Sequence, residues 1–490
     1  MSHSPEIQEL LITSEKTVKE ALKIIDTNAQ GTCFVVDASG KLIGVVTDGD
    51  IRRALIEGKS LDSKVKDVMQ TKFTALPVTT PIDQIQSKIS ERIRHIPLVD
   101  ENNIPVDYAS FTRAHRIPVM TPLLSGNELK YVTECITTGW ISSQGAYVKK
   151  FEQLFAEYSD MKFGVAVSNG TVAIHLALVA LGIGEGDEVI VPDLTFAASI
   201  NGVIYTGATP VMADIDPETW TLSPAAVEKL ITSKTKAIMP VHIYGHPCHM
   251  DELMAIAKKH NLLVIEDCAE ALGALYKGQH VGTFGDAATF SFFGNKTITT
   301  GEGGMVLFKD ETVCNKAMVL RDHGMSKSKR YWHDFVGYNY RMTNIQAAIG
   351  CAQLERLDEF VNAKRGMAAV FNSGLSQHKA ITLPPEKDWA FNGYWLYTCI
   401  IDPNGGVSRD ELIEKLMKNG VETRPVFYPL HEMPPYVQYI KQGQTFPVTN
   451  HVSRNGISLP SSVTISAEEQ NSILNSVSAI YNTRKLNVNV

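Results

Sequence analysis

Short apolar runs, each followed by a stretch of helical pattern, constrain this chain more than any other feature. From about Ile117 onward they recur at Val165–Val167, Gly186–Pro192, Ala237–Tyr244, Leu262–Glu270, Ala287–Phe293 and Met305–Phe308. Strands that alternate with helices pair in parallel and are covered on both faces. The expected fold is α/β, built on a large, mainly parallel sheet.

The last two runs enclose Ser291-Phe-Phe-Gly-Asn-Lys296-Thr-Ile-Thr-Thr-Gly301-Glu-Gly-Gly-Met305. One lysine ends the first run, and glycines at 294, 301, 303 and 304 let the backbone bend tightly before the second. A surface-loop lysine is the ordinary alternative. The apolar flanks favour a desolvated amine instead. Desolvation lowers a lysine's pKa, and the free amine can then attack a carbonyl.

At 490 residues the chain holds two or three domains. Its 44% hydrophobic and 20% charged residues describe a soluble globular protein, and a net charge of −7 gives a nucleic-acid partner no support. Seven scattered cysteines without a C-x-x-C pair fit reduced thiols in a cytoplasm rather than disulfides or zinc. The start, Met-Ser-His-Ser-Pro-Glu, has no signal-peptide pattern, and no run is long enough to span a membrane.

Leu10 to about Phe111 reads as a weak tandem repeat. In the first half a helical stretch, Val18–Ile25, leads to Cys33-Phe-Val-Val-Asp37-Ala-Ser-Gly40. In the second, Ile82–Ile93 leads to Ile96-Pro-Leu-Val-Asp100-Glu-Asn-Asn103. The first half continues through Gly44, Thr47 and Asp50 into a capped helix. This segment resembles a CBS-domain pair, a small α+β module that often binds adenine nucleotides. The family's Gly-x-x-Thr-x-x-Asp pattern stands at Gly44, Thr47 and Asp50, which implies a nucleotide site there through Thr47 and Asp50. The second copy lacks the pattern. A packing or oligomerisation module without ligand is the alternative. Arg113–Pro118 reads as a linker.

In the body of the chain, Ser168-Asn-Gly-Thr171 lies between a strand and an apolar helix. Backbone N–H groups and the dipole at such a helix start suit a phosphate, although a plain capped turn looks the same. Phe196 sits at a strand's carboxyl end, where a flat ligand could stack. His242 and His246 straddle a strand end and a glycine turn, a spacing that does not favour a metal. Asp267 ends an apolar strand, so its charge calls for a cationic partner unless it caps the Ala269–Leu272 turn. Glu266 must point to the other face. Together, an amine at Lys296, an anion at Asp267, phosphate donors at Ser168–Thr171 and Ser291, and a stacking face at Phe196 make up what pyridoxal 5′-phosphate requires.

These motifs, with Gly-Asp-Glu-Val-Ile-Val-Pro192, Thr-Gly-Glu-Gly-Gly304 and Gly337-Tyr-Asn-Tyr-Arg341-Met, resemble the DegT/DnrJ/EryC1/StrS sugar aminotransferases from Ile117 to the C-terminus. The resemblance implies the type I aminotransferase fold, with a large sheet domain and a small α+β C-terminal domain. The expected divisions are 1–116, 117–365 and 366–490. It implies that Lys296 forms the Schiff base and shuttles the proton, and that Asp267 keeps the pyridinium protonated. Gly170, Thr171 and Ser291 bind the phosphate. Asn339 is similar to an asparagine that reaches the cofactor phosphate of the other subunit, implying a homodimer. Glu270 stands where many relatives carry Gln near the cofactor's phenolic oxygen.

Arg321, His323 and Tyr331, in two basic clusters near aromatics, suit a nucleotide-diphosphate sugar. Arg424, in a stretch like the family's C-terminal substrate loop, is expected to meet a donor carboxylate or sugar phosphate. The expected reaction moves an amino group from L-glutamate to C4 of a nucleotide-linked 4-keto-6-deoxy sugar. GDP-4-keto-6-deoxy-D-mannose is preferred and UDP- or dTDP-linked sugars are the alternative. Relatives that are 3-dehydratases carry histidine in place of the lysine, so Lys296 argues against that chemistry. A nucleotide sensor with an inactive aminotransferase-like body is the reading from another class.

Overall fold

The computed structural model describes residues 7–28, 30–90, 93–110 and 116–487, the side chains of 82, 83, 86 and 483–487 apart. The six residues read for a signal peptide and the first half of the Arg113–Pro118 linker lie outside these. The chain divides into two compact units with a boundary between Arg116 and Ile117; the second comprises Ile117–Met417 and Val421–Val490.

The first unit is a duplicated βαββ element. Leu11–Thr13, Thr32–Val36 and Leu42–Thr47 form one three-stranded sheet. Leu76–Pro77, His95–Val99 and Pro105–Ser110 form another. Helices Val18–Asn28 and Ile82–Lys88 join the first strand of each sheet to the second. In both sheets the first pair is parallel and the second antiparallel, with a register shift at Val35/Val36 and at Leu98/Val99. The two acidic turns do the same job. Asp37 accepts from Ser39 N–H and Lys41 N–H, and Asp100 from Asn102 N–H and Ile104 N–H. Each turn contains a left-handed residue, Gly40 and Asn103.

The second unit holds a seven-stranded sheet among the described residues. Its order is Phe163–Val167, Gly304–Phe308, Ala287–Ser291, Leu263–Asp267, Thr235–Ile238, Glu188–Pro192 and Thr209–Ala213. Gly304–Phe308 is antiparallel to both neighbours, and the other pairings are parallel. Alternation along a strand feeds two cores. Val165, Val167, Val306 and Phe308 pack on one face with the buried helix Gly170–Ala180. Ala166, Met305 and Leu307 pack on the other with Phe155 and Phe290. Apolar side chains on both faces explain why these strands read as unbroken apolar runs.

A four-stranded antiparallel sheet follows, ordered Ile381–Thr382, Tyr397–Ile401, Gly456–Leu459 and Arg424–Pro425. It has its own core, which includes Phe371, Tyr397, Leu412 and Ile473. The expected division at 365/366 falls within the continuous helix Leu357–Leu375. Leu357, Phe360 and Val361 pack in the large-sheet core, and Met367, Ala368 and Phe371 in the small one. The Ala237–Tyr244 run is a strand only to Ile238. It then turns through Tyr244, held at φ 53°, because the backbone must leave the sheet at its carboxyl edge. All seven cysteines are free and buried. No helix among the described residues is long and apolar enough to cross a membrane.

Candidate active site

The carboxyl edge of the large sheet gathers most of the expected residues. Asp267, at the end of its strand, is 4% exposed. Ser199 Oγ donates to its Oδ2 at 2.8 Å and Ala269 N–H to its Oδ1 at 3.1 Å. It therefore caps the following turn and still presents a buried carboxyl. Burial raises its pKa, opposed by Ser199, Ala269 N–H and the charges of Lys296 and His242. Glu266 does face the other way. It accepts N–H bonds from Gly282, Phe284 and Gly285 and pairs with His242 Nε2 at 3.1 Å. Cys248 N–H donates to His242 Nδ1, so that ring nitrogen is already engaged. His242, Glu266 and Cys268 come within 4.8 Å of one another, but these protein hydrogens occupy lone pairs that a metal would need.

Lys296 lies in the turn after Ala287–Ser291, its side chain 11% exposed. Nζ is 4.0 Å from Glu270 Oε1 and 3.8 Å from the centre of the Trp395 ring. Burial lowers its pKa. The carboxylates of Glu270 and Asp267 oppose that, and Arg424 adds to it. Glu270 accepts from Tyr244 N–H at 2.9 Å, and burial pushes its pKa up to about 7 against the pull of Lys296. Arg424, on its short strand, has no carboxylate partner within ion-pair distance among the described residues. Its charge is felt at Lys296.

The helix Gly170–Ala180 begins beside this group, with Asn169 accepting from Val172 N–H at 3.0 Å. A Cβ on Gly170 would meet Ser291 Cβ at 2.8 Å and its Oγ at 3.1 Å, so glycine lets the helix start close against Ser291. The first N–H groups of a helix have no partner within it. With Ser291 and Thr171 alongside, they form an anion cradle that fits a phosphate. Phe196 caps the next helix and is 58% exposed. It starts an aromatic row through Phe427 (5.9 Å) and Tyr244 (5.5 Å) to Trp395 (6.2 Å).

Other expected residues have partners outside this group. Arg321 Nη1 is bound to Glu152 and to the Ala166 carbonyl, and the side chain is only 15% exposed, which leaves little of it to meet a substrate. His323 and Asn339 form a second group around Arg341, which also pairs with Asp322 at 2.6 Å. Tyr331 is exposed under Arg330. Thr47 and Asp50 form a capping box at the start of helix Asp48–Ile56. Asp50 also accepts from Arg53 and Gln70, so its carboxylate is fully engaged within the chain. Trp395, Tyr244 and Ser199 were not anticipated. Their only local signals are a Gly-Tyr-Trp step before a strand, a Tyr-Gly turn and a serine one turn into a helix.

A mostly parallel sheet with one reversed strand, a buried lysine beside a strand-end aspartate and a phosphate cradle define a pyridoxal phosphate-dependent enzyme of the type I fold. The chain belongs to the DegT/DnrJ/EryC1/StrS aminotransferase family, whose model matches residues 122–478. The CBS domain model matches residues 6–57 and 65–110, so the unmotifed second copy is a CBS domain too. The chain is 49% identical over 368 residues to a GDP-perosamine synthase of Escherichia coli O157:H7, and 47% over 366 residues to one of Vibrio cholerae. Each match spans 75% of this chain and 99% of the relative. An aminotransferase structure from Psychrobacter cryohalolentis superposes with a TM-score of 0.71 at 31% identity, covering 74% of this chain and 98% of that one.

Proposed function

We propose that this enzyme transfers the amino group of L-glutamate to C4 of GDP-4-keto-6-deoxy-D-mannose. The observation that carries the reading is the Lys296 amine, buried against Trp395 and 4.0 Å from Glu270. Similarity to the GDP-perosamine synthases along 99% of their length supports a GDP-linked sugar.

Bound pyridoxal phosphate supplies an electrophilic carbonyl carbon and a ring that takes up electrons when a carbon loses its proton. Gly170, Thr171 and Ser291 would hold the phosphate, Asp267 would be the anion for the ring nitrogen, Phe196 would cover the ring, and Glu270 would serve the phenolic oxygen. Lys296 Nζ, its pKa lowered by burial, is free to take a proton and return it. Arg424 receives a carboxylate or phosphate oxygen. Asn339 serves the cofactor phosphate of a partner subunit in a homodimer, and His323 and Tyr331 serve the nucleotide-diphosphate sugar. Thr47 and Asp50 offer an adenine nucleotide a site only if their capping box opens.

The test is the mass of the product after incubation of the keto sugar nucleotide with enzyme, pyridoxal phosphate and L-glutamate. The 4-amino sugar nucleotide is expected. No product from an enzyme that still turns yellow with cofactor would move the substrate to UDP- or dTDP-linked sugars. A colourless protein would favour the sensor.

A further inference from the structure

The geometry points to Trp395 as a positioning residue for the Lys296 amine, with Lys364 as its anchor. Trp395 is held at its indole N–H, its ring and its carbonyl. Its indole Nε1–H donates to Asn295 O at 2.7 Å, which ties the ring to the residue next to Lys296. Its ring lies nearly parallel to that of Tyr244, with 6.2 Å between centroids and 10° between the planes. Tyr244 itself sits in a left-handed conformation rare for a bulky side chain, and its N–H bonds Glu270. The Trp395 carbonyl accepts from Lys364 Nζ at 3.1 Å.

Lys364 is a fully buried lysine on helix Leu357–Leu375. It also donates to Ser461 O at 2.7 Å and contacts Met120 Sδ at 3.7 Å. An amine buried against two carbonyls, with no carboxylate partner among the described residues, costs desolvation energy that packing alone does not require. Its position fits holding Trp395 in register.

Lys296 Nζ lies over the indole ring, 3.8 Å from its centre. An indole face attracts a cation and cannot accept its proton. It therefore steadies the ammonium without competing for the hydrogen that must move. The charged groups felt at the amine are Glu270, Asp267 and Arg424, so ring and carboxylates together set where Nζ rests and when it is charged.

The inference rests on Lys296 being the reactive amine, but its test does not need turnover. In the full-length chain freed of cofactor, acetic anhydride labelling of Lys296 across pH, read by mass spectrometry of its peptide, gives the midpoint of its ionisation. Trp395→Leu should lower that midpoint by about one pH unit, because the ammonium loses its π face. Trp395→Phe, which keeps a weaker face, should shift it less. With cofactor bound, Trp395→Leu should lower kcat more than it changes KM for L-glutamate. A parental midpoint in Trp395→Leu, or in Trp395→Met should the leucine variant not fold, would overturn the proposal. Missing transamination in the parent would instead count against the substrate assignment and leave the midpoint comparison standing.

Discussion

Lys364 is fully buried and the Lys296 side chain is 11% exposed, and their surroundings give them different work. Lys296 faces two carboxylates and a π face, whereas Lys364 faces carbonyl oxygens. Lys296→Ala should lower turnover by at least about 10³-fold while leaving the melting temperature nearly unchanged, since a partly open amine is replaced by a small side chain. Kinetics beside a thermal melt check both halves. Lys364 is set for a stability test. Burial lowers its pKa from 10.5 to about 7. Between those two values the unfolded chain binds the extra proton, so this residue makes stability rise with pH across that window. Relative to Lys364→Met, the parent should gain about 2 kcal/mol between pH 7 and pH 9. Urea melts at the two pH values read it, and an unchanged difference would rule out a buried neutral amine.

Among elements, the helix Gly170–Ala180 decides how an anion is held. Its start is pressed on Ser291 so closely that a methyl group at Gly170 finds Ser291 Cβ at 2.8 Å. Gly170→Ala should leave the protein folded, because alanine favours helix, but push the helix start away from Ser291 at a cost of about 1–3 kcal/mol. Titration with pyridoxal phosphate, followed by absorbance, should give a dissociation constant raised roughly tenfold or more. Equal affinity would mean that the cradle lies elsewhere. This element was partly legible in the sequence, as Ser168-Asn-Gly-Thr171 between a strand and an apolar helix. Its meaning was not, because a capped turn and a phosphate cradle share one local pattern. What separates them is Ser291, brought alongside by the sheet.

On the scale of the whole molecule, the two units are built on separate sheets and cores. Residues 117–490 without the CBS pair should transaminate at a rate within about threefold of the full chain, since every residue assigned to the cofactor lies after Ile117. Any response to AMP, ADP or ATP should vanish with the first unit. Steady-state rates of both forms, with and without each nucleotide, check this. Loss of activity in the soluble truncated protein would make the first unit part of the enzyme proper.

Periodicity and spacing alone determined the α/β body, the duplicated first unit, the lysine in the turn after a strand and the aspartate on the neighbouring strand. Each follows from local rules: apolar runs become strands, and strand ends line one edge of a parallel sheet. Tertiary structure alone decided what stands across from those residues. Trp395 over Lys296, Ser199 on Asp267 and the diversion of Arg321 to Glu152 join positions far apart in the chain. Such pairings depend on how two cores share one helix and how strands order themselves in a sheet, and no stretch of sequence carries that information by itself.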